Sequence, residues 1–229
     1  MNPIVSLFDV YSRRSRGRRA RVLREYIDPA PEWRILDLGG GTGAHINRVF
    51  PHHRNIVICD LLAADLEVAR KVYGYETVQA DGTDRLPFSD GEFDFVFCSS
   101  VIEHVTGPKD EVLRIADGET FREMAWDNQS RFAAEVRRIA KRYYVQTPHK
   151  YFPVESHSWM PNIYPMINRR HHIRLLSAIN TSTVWPKKTE PDWNLLTPSE
   201  MRELFPDARI FIERSLGLPK SIFALKAAA

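Results

Sequence analysis

The residues with the clearest chemical meaning lie in the segment 35–43, which reads Ile-Leu-Asp-Leu-Gly-Gly-Gly-Thr-Gly. A short apolar run, three alternate glycines and the amphipathic stretch Ala44 to Phe50 predict a strand, a tight turn and a helix. Glycines let a ligand approach the main chain, and the start of the helix directs free N–H groups towards it. The acid Asp37 would repel a diphosphate and suits a positively charged group. The segment therefore predicts a site for a polar ligand that carries a cation.

Acids also end the next two predicted strands. Asp60 follows the apolar run 56–59, and Asp81, followed by Gly82, closes the third strand. A carboxylate offers two acceptors to a vicinal diol such as that of a ribose. The dinucleotide pattern G-x-G-x-x-G/A also fits the glycine turn, but only if Ala44 supplies its last position. The three acids and the glycine turn therefore favour a nucleoside-bearing cofactor of another kind.

The stretch from about residue 33 to 105 resembles the class I S-adenosylmethionine-dependent methyltransferases. The sequence Glu103-His104, just after the predicted fourth strand, is similar to the type 11 subgroup. This resemblance implies S-adenosylmethionine as cofactor and S-adenosylhomocysteine as product. It implies that Asp60 binds the ribose and that Asp81 contacts the adenine. The cofactor-binding residues expected are Asp37, Gly39, Gly40, Gly41, Gly43, Asp60, Leu61, Asp81, Gly82 and Ser99.

His104 is the first catalytic candidate, because it follows the fourth strand, where the methyl group should point. An imidazole has an ordinary pKa near 6.5 and suits work as a base. The alternative is that His104 caps a helix. A second group, His149, Glu155 and His157, follows the fifth strand. Glu155 and His157 would point the same way in an extended segment, with the carboxylate orienting the imidazole.

Two alternatives to proton handling by this second group remain. Its members could instead make structural hydrogen bonds in a proline-rich loop. His and Glu can also ligate a metal, but the sequence lacks a compact pattern such as H-x-x-x-H. The sequence analysis therefore predicts catalytic roles for His104, His149, Glu155 and His157 and no metal site.

The elements that must position these residues follow an α/β rhythm from Trp33 onwards. It predicts a Rossmann-like, doubly wound sheet of seven strands, six parallel and one antiparallel. An aromatic and proline-rich stretch, 148–195, interrupts the rhythm and is expected as an inserted lid after strand five, on the acceptor side. We expect strands at 34–38, 55–60, 75–80, 93–99, 142–147, 208–214 and 220–226. We expect helices near 44–50, 62–73, 129–141 and 198–205.

The 229 residues divide into a basic N-terminal helix, 1–32, and a methyltransferase domain, 33–229. Seven arginines between positions 13 and 24 give that helix either a solvated face or an anion patch. A second basic run, 169–174, has the same two interpretations. Cys59 and Cys98 lie in apolar runs and are expected as reduced thiols of a cytoplasmic protein. No run approaches the ~18 apolar residues of a membrane span.

The function expected is methyl transfer to a small molecule, a lipid precursor or a sugar, at oxygen or carbon. One alternative is RNA methylation that uses the basic N-terminal helix. The residues after strand four, Ser99-Ser100-Val101-Ile102, lack the N/D-P-P-Y/F pattern of enzymes that methylate amino groups of nucleic acids. A second alternative is a non-catalytic module that binds S-adenosylmethionine.

Overall fold

The computed structural model describes residues 3–80 and 85–228. It contains one sheet of seven strands in the order β3-β2-β1-β4-β5-β7-β6. Strands β1 to β5 are mutually parallel, β7 is antiparallel to β5, and β6 is antiparallel to β7. Six strands therefore run one way and β7 runs the other, which confirms the predicted sheet. The strands are β1 Ile35–Leu38, β2 Ile56–Asp60, β3 Glu76–Gln79, β4 Phe93–Ser99, β5 Ala140–Pro148, β6 Arg209–Ser215 and β7 Leu218–Lys226.

The helices agree with the sequence analysis in place but differ in length. The helix predicted near 129–141 begins at Gly118 and ends at Ile139, because Ala140 already pairs with Phe93 in the sheet. The helix predicted at 62–73 is α-helical at first and continues as a π-helical turn, Ala69–Tyr73. The helices are α1 Pro3–Tyr26, α2 Ala44–Val49, α3 Ala63–Val68, α4 Lys109–Arg114, α5 Gly118–Ile139, α6 Arg169–Thr181 and α7 Pro198–Leu204.

Local sequence signals explain several helix starts. The Asp117 side chain accepts a hydrogen bond from the Thr120 amide, 2.8 Å away, at the start of α5. Thr197 and Glu200 form a reciprocal capping box at the start of α7. Such caps satisfy amides that have no partner within the helix.

Two apolar layers cover the faces of the sheet, as a parallel sheet requires. Alternate residues of β1 face opposite layers, so Leu36 and Leu38 lie in one cluster and Ile35 lies in the other. Leu23 and Ile27 belong to that second cluster, although the sequence analysis assigns them to a separate N-terminal unit. By the same alternation Asp37 points towards the layer of α1, α2 and α3.

The segment 148–195 contains α6 and packs onto the domain through Arg169. The Arg169 guanidinium donates to the carbonyls of Val112, Ile115 and Pro191, each within 2.9 Å, and lies over the Phe121 ring. The anion patch proposed for the run 169–174 therefore does not include Arg169, because its donors are used inside the protein. Within the described part of the chain, no helix has both the length and the apolar character needed to cross a bilayer.

Candidate active site

The glycine turn lies against a cavity of about 700 Å³ at the carboxyl ends of β1 and β2. Gly39 has φ +71°, and a Cβ atom built there would lie 2.3 Å from a methyl carbon of Val101. Both the backbone angle and the close approach therefore require glycine. Residues from six parts of the chain line this cavity, including Gly39, Asp60, Leu61, Leu62, Ala80, Ser100, Val101, His104, Lys109 and Asp192.

Asp37 lies beneath this turn and is 2% exposed. Its Oδ2 atom has no hydrogen-bond partner among the described residues. A Cβ at Gly40 would lie 2.6 Å from the Asp37 carboxyl group, so the missing side chain makes room for that group. Burial, and then the charge of Asp60, raise the pKa of Asp37 to about 8. A buried carboxylate with an unused oxygen is suited to a cationic partner.

Asp60 ties the glycine turn to β2. Its Oδ2 accepts from the Gly41 amide at 2.8 Å, and its Oδ1 accepts from the Leu62 amide at 3.0 Å. Each carboxylate oxygen can accept a second hydrogen bond, and Asp60 lines the larger cavity. Asp60 can therefore both hold the turn and bind hydroxyl groups of a ligand.

The other expected cofactor residues have different positions. A Cβ at Gly43 would lie 3.0 Å from the Tyr75 ring, so the absence of a side chain there serves packing. Ser99 lines a second cavity and not the 700 Å³ one, and its hydroxyl donates to Gln146 at 2.7 Å. Asp81 and Gly82 lie outside the described residues.

The second cavity has a volume of about 440 Å³ and shares Ser100 and His104 with the first. One of its walls is basic. Burial, followed by the charges of Arg19, Arg16 and Arg48, lowers the pKa of His45 to about 4. The polar and charged residues that line it are Ser15, Arg16, Arg19, His45, Ser99, Ser100, Glu103, His104, Gln146, Ser156, His157, Lys187, Lys220 and Ser221.

Lys220 is a half-buried charge that lacks a full counter-charge. Its ammonium group donates to the Ser15 hydroxyl and lies 4.1 Å from the centre of the Tyr11 ring. Burial lowers its pKa to about 8 despite the opposing charge of Glu213. Glu213 itself is paired with Arg19 at 3.0 Å. The basic wall is therefore suited to an acidic ligand.

His104 lies at the junction of the two cavities, in the 3₁₀ turn Ile102–His104. Its Nδ1 atom is 3.5 Å from Oδ1 of Asp192. Burial opposes protonation of the ring, but the Asp192 carboxylate and the charge of Glu103 outweigh it, so the pKa of His104 is raised. The sequence analysis did not identify Asp192, which is brought to His104 from the far end of the insertion.

His157 also faces the second cavity, and Glu155 orients it. Nδ1 of His157 is 2.6 Å from Glu155 Oε1, and the ring stacks on Trp193. Glu155 also accepts from the amides of His157 and Ser158, which form a turn. The segment forms a turn and not the extended conformation considered from the sequence, and this turn brings Glu155 into direct contact with His157. Burial favours protonation of Glu155, but the bonds from His157 and Ser158 prevail and lower its pKa.

The remaining candidate, His149, lies apart from the residues described as lining either cavity. Its Nδ1 accepts from the Tyr151 amide at 3.1 Å, so the ring caps the turn after β5. Burial, and then the charge of Arg214, lower its pKa. The structure thus brings His104 and His157 together, with ring centres 4.8 Å apart, and leaves His149 outside the pair.

Glu103 was not among the predicted catalytic residues, but it lies at the site. Its side chain is fully buried, and neither carboxylate oxygen has a hydrogen-bond partner among the described residues. It lines the 440 Å³ cavity beside His104. The signal in the sequence was an acid next to His104 and flanked by the apolar residues 101, 102 and 105, since acids are rarely buried unless they are paired.

Comparison with known proteins agrees with this geometry. A family profile described as "Methyltransferase domain" matches residues 36–143. Residues 36–143 therefore form a methyltransferase domain, in agreement with the resemblance to the class I S-adenosylmethionine-dependent enzymes. The profile covers β1 to the first part of β5, which includes the glycine turn, Asp60 and His104. It ends before His157, Lys187 and Lys220, which line the smaller cavity. The match therefore includes more of the residues around the larger cavity than around the smaller one.

Two curated relatives match this chain over part of its length. Demethylmenaquinone methyltransferase of Clavibacter sepedonicus is 36% identical over 96 residues, which are 39% of this chain and 39% of that protein. The ubiquinone/menaquinone biosynthesis C-methyltransferase of Vibrio parahaemolyticus is 37% identical over 94 residues, 37% of this chain and 36% of that protein. The chain thus spans less than two fifths of the length of these relatives in the match.

Solved structures share the fold over most of the methyltransferase domain. Magnesium protoporphyrin IX methyltransferase from Synechocystis, crystallised with bound S-adenosylhomocysteine, has a TM-score of 0.57 at 12% identity and covers 99% of this chain and 88% of its own. A methyltransferase from Methanosarcina mazei has a TM-score of 0.57 at 16% identity and covers 90% and 96%. At these identities the likeness concerns the fold.

The larger cavity fits S-adenosylmethionine on its own chemistry. Asp60 lines the cavity, and its second lone pairs suit ribose hydroxyls. The unused oxygen of Asp37, buried beneath the glycine turn that borders the cavity, suits an ammonium group. Gly39 lines the cavity with main-chain atoms alone. These residues would hold the cofactor of the methyltransferase domain.

Proposed function

We propose that this protein transfers a methyl group from S-adenosylmethionine to a small acidic molecule, at oxygen or carbon. The observation that carries the proposal is that His104 and Ser100 line both cavities. A ligand bound by Asp37 and Asp60 on one side and an acceptor in the smaller cavity would therefore meet at these two residues. The cytoplasmic location expected from Cys59 and Cys98, both buried free thiols, is part of this proposal.

The basic wall of the smaller cavity supports an acidic acceptor. Arg16, Arg19, Lys187 and Lys220 line that wall, and a carboxylate or phosphate on the acceptor would offset their charge. The printed name of the Vibrio relative assigns it methylation at carbon. The family profile ends at residue 143, before several of the residues that line the smaller cavity. The name of this relative therefore supports methylation at carbon less strongly than it supports a shared cofactor.

The cofactor supplies an activated methyl group when it is bound. The residues of this chain then have to orient the acceptor, exclude water and accept a proton if the acceptor must lose one. His104 is placed for the last task, since Asp192 holds its Nδ1 side and the ring reaches the junction. His157, held by Glu155, stands beside it.

The test is a comparison of binding and turnover. Calorimetry should show S-adenosylmethionine and S-adenosylhomocysteine binding and no comparable NADH binding. Release of S-adenosylhomocysteine should then occur with some members of a panel of small acidic acceptors. His104→Asn should lower that release at least ~100-fold, the usual scale for loss of an acid–base group, and change cofactor affinity less than about tenfold.

The two alternatives predict other results. A non-catalytic module would bind the cofactor and release no product with any acceptor. An RNA methyltransferase would release product with RNA only, with an affinity that falls steeply as salt rises. Absence of cofactor binding would contradict all three functions.

A further inference from the structure

Three side chains at the junction form a group with the composition of a metal site. Glu103, His104 and His157 each offer one ligand atom, and these atoms all lie within 4.8 Å of one another. The first two come from the turn after β4 and the third comes from the turn after β5. This separation along the chain explains why the sequence shows no compact metal-binding motif.

The buried carboxylate is the observation that points to a ligand. Glu103 is 0% exposed, and both of its oxygens lack a partner within the described residues. Taking a carboxylate out of water without a hydrogen bond or counter-ion is strongly unfavourable. Because this side chain faces the smaller cavity, a cation in that cavity would supply the missing partner.

Both imidazoles are held as metal-binding histidines usually are. Nδ1 of His157 is hydrogen-bonded to Glu155, and Nδ1 of His104 faces Asp192 at 3.5 Å. A carboxylate on one ring nitrogen fixes the tautomer and leaves the other nitrogen with its lone pair free for a ligand. The same carboxylate–histidine arrangement thus occurs on both rings.

The local charge also favours a cation. Glu103, Glu155 and Asp192 surround the two imidazoles, whereas the arginines and lysines that line the cavity come from other elements, Arg16 and Arg19 from α1, Lys187 from the insertion and Lys220 from β7. Three carboxylates around two histidines leave negative charge even when both rings are protonated. A divalent ion would offset this charge and would leave the basic wall to bind an acidic group.

The ligand set indicates which ion is preferred. Two imidazole nitrogens and one carboxylate suit zinc and related divalent transition ions, and three protein ligands leave a coordination position open. Magnesium prefers oxygen ligands and retains its waters. The site should therefore select zinc over magnesium.

We propose that Glu103, His104 and His157 bind a divalent transition ion of the zinc class, whose open position takes an oxygen atom of the acceptor. The choice of acceptor atom rests on the proposed methyltransferase function, whereas binding of the ion does not. Since His104 also borders the larger cavity, an oxygen held there lies next to the cofactor site. With the ion bound, His104 acts as its ligand, and the ion rather than the imidazole favours loss of the acceptor's proton to water. The acceptor would then be a hydroxyl or enol compound with a second, acidic group.

Calorimetric titration of tag-free, metal-free protein with zinc tests the proposal. One ion should bind per chain, and magnesium should bind at least ~100-fold more weakly. Glu103→Gln and His157→Asn should each weaken zinc binding at least ~100-fold, more than the loss of an outer partner. His149→Asn is the matched control, because His149 is a buried histidine after β5 that lies outside the cluster, and it should leave zinc affinity within about threefold.

Two results would overturn the site. One is that the wild-type protein takes up no stoichiometric zinc. The other is that Glu103→Gln and wild type bind zinc equally, which would place the ion elsewhere. If the variants do not fold, the absorption spectrum of the cobalt-substituted wild-type protein decides: a cobalt–thiolate band would assign the ion to Cys59 or Cys98 and contradict the proposal. Failure of the proposed function appears separately, as intact zinc binding without S-adenosylmethionine binding.

Discussion

The two cavities that meet at His104 are built in different ways. The 700 Å³ cavity is organised by one contiguous segment, the glycine turn between β1 and α2, with Asp60 tied directly to it. The 440 Å³ cavity is assembled from α1, the turns after β4 and β5, the insertion and β7. The glycine turn of the first is a local consequence of sequence, although distant segments complete the cavity's walls. The second has no such local framework and exists only once distant segments have packed.

Each cavity has a charged group beside it that the protein alone does not satisfy: Asp37 beneath the glycine turn and Lys220 in the wall of the smaller cavity. Asp37 is a buried acid whose pKa is raised to about 8, and Lys220 is a half-buried base whose pKa is lowered to about 8. Both shifts result mainly from burial, and both reduce the stability of the free protein at neutral pH. The comparison indicates a cationic ligand for the first cavity and an anionic one for the second.

The largest effect is expected from Gly39→Ala, which attacks the first cavity alone. The new Cβ would clash with Val101, so affinity for S-adenosylhomocysteine should fall at least ~100-fold. Gly74→Ala is the matched control, because Gly74 has the same φ of +71° and no atom within 4 Å of a new Cβ. It should lose about 1 kcal/mol of stability and keep its affinity. If calorimetry shows equal losses of affinity for Gly39→Ala and Gly74→Ala, then backbone strain, and not the close approach of Val101, determines the effect at Gly39.

A smaller effect is expected from Asp37→Asn. The folded pKa of about 8 lies above the unfolded value of 3.8, so wild-type stability is lost as the pH rises from 4 to 8. The free energy of unfolding of the variant should therefore be about 1–3 kcal/mol larger than that of the wild type at pH 7. It should also lack the decline between pH 4 and pH 8. Urea titrations at pH 5 and pH 8 measure both quantities.

The same substitution should weaken binding of the cofactor. Wild-type affinity for S-adenosylhomocysteine should rise between pH 6 and pH 8 as Asp37 loses its proton, and the variant should show no such rise. Asp94→Asn is the control, since Asp94 accepts from Arg34 and Lys141 and its pKa is lowered. It should destabilise the protein at pH 7. A stabilising effect of both substitutions would remove the distinction between the two acids.

The smallest effect is expected from Lys220→Met in the second cavity. The folded pKa of about 8 lies below the unfolded value of 10.5, so wild-type stability should rise as the pH increases from 8 to 10.5. The variant should gain about 1 kcal/mol at pH 7 and lack this rise. Lys226→Met, on the same strand but in an ion pair with Asp207, should give no gain. Thermal unfolding at pH 7 and pH 10 distinguishes them, and a loss of stability in Lys220→Met would refute the assignment of an unsatisfied charge.

Most of the fold was predictable because its signals are local. Apolar runs marked most of the strands, although β3 reads Glu-Thr-Val-Gln, and the proline and acid after Thr197 marked the start of α7. The first half of α5 was missed, and its last two expected residues belong to β5, where Ala140 pairs with Phe93. That boundary depends on a neighbouring strand, so local sequence could not define it.

The site was predictable in part, and the reason differs from residue to residue. Asp37, Gly39 and Asp60 follow one another at spacings that a strand–turn–helix unit requires. Glu103 and Asp192 acquire their importance only from burial and from the histidines beside them. For both residues the sequence shows only that an acid is present, and it does not show which atoms surround that acid in the folded protein.

The sequence by itself determined the seven-stranded methyltransferase fold and the glycine turn that ends β1, because periodicity and turn chemistry act between near neighbours. Only the tertiary structure decided that His104 and His157 meet beside a buried Glu103, and that α1 and β7 supply basic residues to the same cavity. These contacts join residues far apart in the chain, and the energy of a charge depends on the atoms that packing places around it.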